Sequence, residues 1–89
     1  MLERDILRQV RDYLGYRKWF IMRIQQSMGS HKGMSDLIIC KQGKVIFLEI
    51  KTPHGRLSHY QKKFELDLFR EDIPYYVITD VSQLQDLGL

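Results

Sequence analysis

The sequence predicts an α/β domain in which a mixed central sheet is flanked by helices, in the order α-β-β-β-α-β with a further helix at the end. Three observations predict it. The opening residues repeat apolar side chains at helical spacing. The middle carries short runs rich in β formers, two of them joined by a tight turn. A capped amphipathic segment then returns the chain to a last strand. With 89 residues there is room for one domain, read as residues 1–89.

Each element has a local reason. Leu2, Ile6, Val10 and Leu14 fall at steps of four, joined by Leu7 and Tyr13, which predicts a helix over 2–14 ending near Gly15. Residues 19–24, WFIMRI, predict a buried strand, and the polar 25–35 segment predicts a loop carrying His31 and Lys32. Strands are expected at about 36–41 and 44–51 on either side of Gln42-Gly43. TPHGR turns the chain into a second helix, opened by a Ser58/Gln61 capping box, with Leu57, Tyr60, Phe64 and Leu68 as its buried stripe. Pro74 leads a strand at 75–79, and Asp80 or Ser82 caps a short terminal helix. A strand following a helix is expected parallel to its neighbour, through a right-handed crossover. The low polarity of IICKQGKVIFLEI predicts strands covered on both faces.

Composition narrows the function classes. A chain 44% hydrophobic and 28% charged is globular rather than disordered. The single cysteine, Cys40, excludes an intrachain disulfide and fits a reducing compartment. No apolar run approaches the roughly 18 residues of a membrane span, and the N-terminus lacks a signal-peptide core. A cytoplasmic location without membrane partners is expected. The net charge of +3 is unevenly spread: Arg17 to Lys63 contains ten Lys or Arg and two acids, whereas the flanks hold four basic and nine acidic residues. A basic middle suits a polyanion, nucleic acid above all. Solvated strand edges account for the same lysines.

The two acids of that middle are Asp36 and Glu49. A two-residue turn at Gln42-Gly43 sets them directly opposite each other at the open end of the hairpin. Like charges about 5 Å apart repel by on the order of 3 kcal/mol at an effective dielectric near 20. A shared divalent cation, Mg²⁺ above all, removes the cost, with the Ile50 carbonyl as a further ligand. Alternation places Val45, Phe47, Glu49 and Lys51 on one face of the strand, so an ammonium joins the two carboxylates. Such a site suits water activation and phosphoryl-charge stabilisation. The plain structural reading is a surface Glu49–Lys51 ion pair and an Asp36 that ends a turn.

Further residues have two readings each. Glu3 is a metal ligand or a first-turn acid complementing the helix dipole. Gln61 positions water or phosphate, or it only caps its helix. Lys32, His54 and Arg56 lie in loops near the acids, where they contact phosphates or are simply solvated. His31, His54 and His59 match no zinc spacing. Trp19, Tyr75 and Tyr76 read as core, and Cys40 as a small hydrophobe.

Taken together, GMSDLIICKQGKVIFLEIK resembles the G-x-P-D…E-x-K signature of the PD-(D/E)XK nuclease superfamily, through Gly33, Asp36, Glu49 and Lys51. GRLSHYQ resembles the R-x-S-x-x-Q segment of its virus-type replication-repair nuclease (VRR-NUC) family, through Arg56, Ser58 and Gln61, with one residue's difference in spacing. Ser35 stands where the family has Pro. The resemblance implies a restriction-endonuclease-like core. It also implies an Mg²⁺- or Mn²⁺-dependent endonuclease acting on branched or flapped DNA in replication, repair or recombination. Asp36, Glu49, Lys51 and Gln61 would serve catalysis, and Asp36, Glu49, Ile50 and Glu3 the metal. Standalone members this small are similar to phage-encoded homodimers, placed in the host cytoplasm. The alternative is a non-catalytic nucleic-acid-binding module that kept the fold. A purely structural assembly protein requires the acid pair to be accidental.

Overall fold

A computed structural model describes residues 1–25 and 31–89. Seven elements follow in order: α1 (Glu3–Tyr16), β1 (Phe20–Arg23), β2 (Leu37–Lys41), β3 (Lys44–Ile50), α2 (His59–Arg70), β4 (Tyr75–Ile78) and α3 (Ser82–Asp86). The four strands form one sheet in the order β1-β2-β3-β4. The first two pairings are antiparallel and β3–β4 is parallel. The fold is the mixed α/β arrangement expected from the sequence. Residues 26–30 of the expected 25–35 loop lie outside the described residues. Among the described residues, no helix is long and apolar enough to cross a membrane.

The hairpin has the expected turn. Gln42 and Gly43 both take positive φ, 51° and 83°, as a two-residue type I′ connection demands. Lys41 pairs with Lys44 and Leu37 with Leu48, so the register runs outward toward Asp36 opposite Glu49. One face of the sheet packs on α1 and α3. Ile6, Val10 and Leu14 meet Leu37, Ile39, Ile46, Leu48, Ile50, Ile78 and Leu84 in a core with almost no exposure. On the other face, α2 lays Phe64 against Phe47 and Tyr75, with ring centroids 5.8 and 6.1 Å apart.

The first helix ends near Gly15 as expected, at Tyr16, with Lys18 in the left-handed position at φ 68°. The Trp19 N–H bonds the Leu14 carbonyl and the Lys18 N–H that of Gly15, closing the last turn without glycine. Asp72 does the same after α2 and Gly88 after α3. Three other expectations are corrected. The WFIMRI segment is not buried: β1 is an edge strand, and Phe20 is 64% exposed. Only Phe64 of the predicted α2 stripe is buried; Leu57 and Leu68 are half-buried, and Tyr60 is exposed. Nor are the strands covered throughout. Val45 stays 42% exposed because α2 lies over the β3–β4 side of its face.

Candidate metal and nucleic-acid site

The hairpin register delivers Asp36 and Glu49 to the same end of the sheet, and each carboxylate is then fixed by a separate element. Beyond Leu37 the strand ladder changes partners. The Asp36 carbonyl accepts the Ile24 N–H at 2.8 Å, and its carboxylate Oδ2 accepts the Ile50 N–H at 2.8 Å. Asp36 thus clips the last residue of β3 with its side chain. Glu49 is 2% exposed. Its Oε2 accepts from Gln61 Nε2 at 3.1 Å and lies 3.7 Å from Lys51 Nζ. Its Oε1 is buried and has no hydrogen-bond partner.

Gln61 reaches Glu49 because α2 begins where it does. Ser58 caps the helix: its Oγ accepts the Gln61 N–H at 3.2 Å, and Gln61 Oε1 accepts the Ser58 N–H at 2.8 Å. The amide carbonyl is spent on the cap, which turns the amide NH₂ toward the acid. The capping reading of Gln61 holds, and in the same conformation the side chain also reaches Glu49.

Gly33 sets the other side. It sits at φ +80°, and a Cβ there would stand 2.2 Å from the Tyr60 carbonyl oxygen. Only glycine lets the loop before Asp36 lie against the first turn of α2. Lys32 adds a second tie, its Nζ 3.5 Å from the Tyr60 hydroxyl and 4.8 Å from that ring's centroid. The His31 ring leans on Phe64 at a tilt of 54°, with centroids 5.6 Å apart. Ser35, in the place of the family's Pro, is 1% exposed and donates its hydroxyl to the Leu37 carbonyl at 3.0 Å. An internal hydrogen bond there restrains the loop that a proline ring would stiffen.

The electrostatics follow from the packing. Burial, then the neighbouring Asp36 charge, push the Glu49 carboxyl up to about 8, with Lys51 opposing and a side-chain hydrogen bond to Asp36 and the Glu3 charge adding smaller pushes. Tyr75, which the sequence placed simply in the core, has a buried hydroxyl without a partner. Its phenol is raised by burial first and then by the charges of Glu49, Glu65 and Asp36. The two carboxyls are close enough to share a proton, and among the described residues no N–H or hydroxyl donor reaches Glu49 Oε1. A hard divalent cation fits this donor set of two carboxylates and a nearby backbone, and it would take up the free Oε1.

Glu3 is exposed at the start of α1 and lines a cleft of about 150 Å³ with Arg4, Leu7, Arg23, Asp36 and Ile50. It is near the acids without joining them in a closed cluster. Among the described residues, no three His, Cys, Asp or Glu side chains are grouped to hold a metal. Arg4 and Arg23 escaped the sequence reading, since nothing local relates either to Asp36. His54 and Arg56 are exposed on the segment joining β3 to α2.

Comparisons with known proteins bear on the family and the fold. A family model described as the VRR-NUC domain matches residues 2–81. A solved structure described as a VRR_NUC domain superposes with a TM-score of 0.84 at 15% identity, over 97% of this chain and 92% of that one. At that identity the superposition speaks for the fold. No curated protein matches the sequence.

Proposed function

The chain belongs to the VRR-NUC domain family and has its nuclease-type fold, and from that premise we propose that it is a metal-dependent DNA endonuclease acting on branched or flapped DNA. The observation that carries the reading is the half-buried Asp36 beside the buried Glu49, with Lys51 Nζ 3.7 Å from the Glu49 carboxylate. Asp36, Glu49 and the Ile50 carbonyl would hold Mg²⁺ or Mn²⁺. The bound ion would supply a water of lowered pKa and stabilise charge on a phosphoryl oxygen.

The chain's own residues do the rest. Asp36 and Glu49 supply the negative charge that selects a divalent ion and fixes its place. Gln61 holds the Glu49 carboxylate in one rotamer, leaving Oε1 free. Lys51, its side chain 16% exposed, keeps an ammonium beside Glu49, where it orients the attacking water or neutralises charge developing on the phosphoryl group. Lys32, His54 and Arg56 bind flanking phosphates, and Glu3 serves as an outer acid at the mouth of the cleft. Homodimerisation, which would present two sites to two strands of a junction, belongs to this reading, as does action in the cytoplasm. A monomeric mass by light scattering at micromolar protein would remove the dimer.

The test is cleavage of a labelled four-way junction, a flap and a plain duplex, each with Mg²⁺, Mn²⁺ or EDTA, and with Lys51→Ala beside the unmodified protein. Metal-dependent cutting by the unmodified chain alone is expected, strongest on the branched substrates. Tight junction binding with no cutting in any metal would instead make this a binding module that kept the fold.

A further inference from the structure

The β2–β3 hairpin carries like charges in register at both of its ends. Asp36 and Glu49 meet at the open end. At the turn end, Lys41 pairs directly with Lys44. Opposed like charges on paired strands are destabilising. No acid relieves the second pair: among the described residues, no carboxylate lies within ion-pair distance of Lys41, Lys44 or Arg17. Lys41 turns to the backbone and to an aromatic face instead. Lys41 Nζ donates to the Arg17 carbonyl at 2.6 Å and stands 5.7 Å from the centroid of the Trp19 ring.

Arg17, Lys41, Lys44 and Trp19 line a cleft of about 110 Å³ together with Gln42, Gly88 and Leu89, and no acidic side chain enters it. Trp19 brings a second, independent feature. Its indole Nε1 is buried and has no hydrogen-bond partner. A buried donor left unmade costs about 1–3 kcal/mol. Three basic residues lining one small cleft beside the Trp19 indole are the makings of an oxyanion site.

We propose that this cleft binds a phosphate group, and that the phosphate belongs to a nucleic-acid backbone. The source of the phosphate rests on the endonuclease reading; the site itself does not. Lys44 and Glu49 are five residues apart along β3, so the cleft lies about 17 Å from the acids. Lys41 and Lys44 leave the sheet on the α1 face, and Asp36 and Glu49 on the α2 face. The phosphate held here is therefore on a flanking arm rather than at the cut.

Trp19 is the only tryptophan, so its indole N–H gives one resonance in a ¹H–¹⁵N spectrum. That resonance is followed in EDTA while inorganic phosphate, and separately a duplex of about sixteen base pairs (about 50 Å), is titrated in. The expected result is a shift with the duplex. Arg17→Gln with Lys44→Gln, both exposed positions, should abolish it and weaken binding about tenfold, lowering the slope of log K against log salt by about 1–2. Duplex binding with an unmoved indole and an unchanged slope would overturn the site while leaving the endonuclease reading intact. A shift with phosphate, in a protein that binds neither the duplex nor a four-way junction, would overturn the nucleic-acid assignment together with that reading.

Discussion

Gln61 donates its side-chain amide to Glu49 across 3.1 Å while its carbonyl oxygen closes the cap of α2 on Ser58. One side chain thus couples the start of a helix to the orientation of a buried acid twelve residues away. The two functions separate by mutation. Ser58→Ala removes the Oγ acceptor and should cost about 1 kcal/mol of stability with cleavage largely kept. Gln61→Ala loses the cap and the Glu49 contact together, so cleavage should fall at least tenfold at a similar loss in denaturant midpoint. Equal activities in the two variants would break the coupling.

The buried acid makes stability depend on pH. Glu49 has a folded pKa of about 8 against an ordinary 4.5. Between those values the folded protein holds a proton that the unfolded chain has lost. Stability therefore declines as pH rises from about 4.5 to about 8 and levels off above. A melting series in EDTA across that window should show the decline, and Glu49→Gln should flatten it. Divalent cations select the ionised form, so affinity measured by calorimetry should rise over the same range.

Asp36→Asn separates stability from function. The amide oxygen can still accept the Ile50 N–H that Asp36 Oδ2 accepts at 2.8 Å. The charge that helps raise Glu49 is gone. In EDTA near pH 8 the variant should be more stable, by on the order of 1 kcal/mol. Its melting temperature should no longer respond to Mg²⁺, and cleavage should be lost. A variant less stable than the parent in EDTA would mean that repulsion at this end is already relieved by protein groups.

Gly33→Ala meets two obstacles, a positive φ and the Tyr60 carbonyl 2.2 Å from its Cβ. Strain and overpacking together should cost about 2–4 kcal/mol. Because the loop also carries Asp36, divalent affinity should drop in the fraction that stays folded. A neutral substitution would mean that the loop does not rest on α2.

Much of this was legible because it is local. The α1 stripe, the turn at Gln42-Gly43 and the Ser58–Gln61 cap are each set by residues within four positions of one another, as helix and turn geometry require. Register then carries the turn outward by simple counting, which is why Asp36 and Glu49 could be paired before any coordinates. Where locality failed, the misreadings have causes. The α2 stripe looked buried because spacing does not say how much of a helix face the sheet covers, and only Phe64 is buried. WFIMRI looked buried because apolar content does not say whether a strand is central or at an edge.

By itself, then, the sequence determined the elements, their order, the hairpin register and the residues brought to its open end. Only the tertiary structure decided what those residues touch. The seating of Gly33 on Tyr60, the bond from Gln61 to Glu49, the bare Glu49 oxygen and the gathering of Arg17, Lys41 and Trp19 join segments far apart in the chain. Periodicity and turn chemistry act over a few residues, whereas such contacts depend on where helices settle on a sheet. Packing alone sets that, and no short stretch of the chain encodes it.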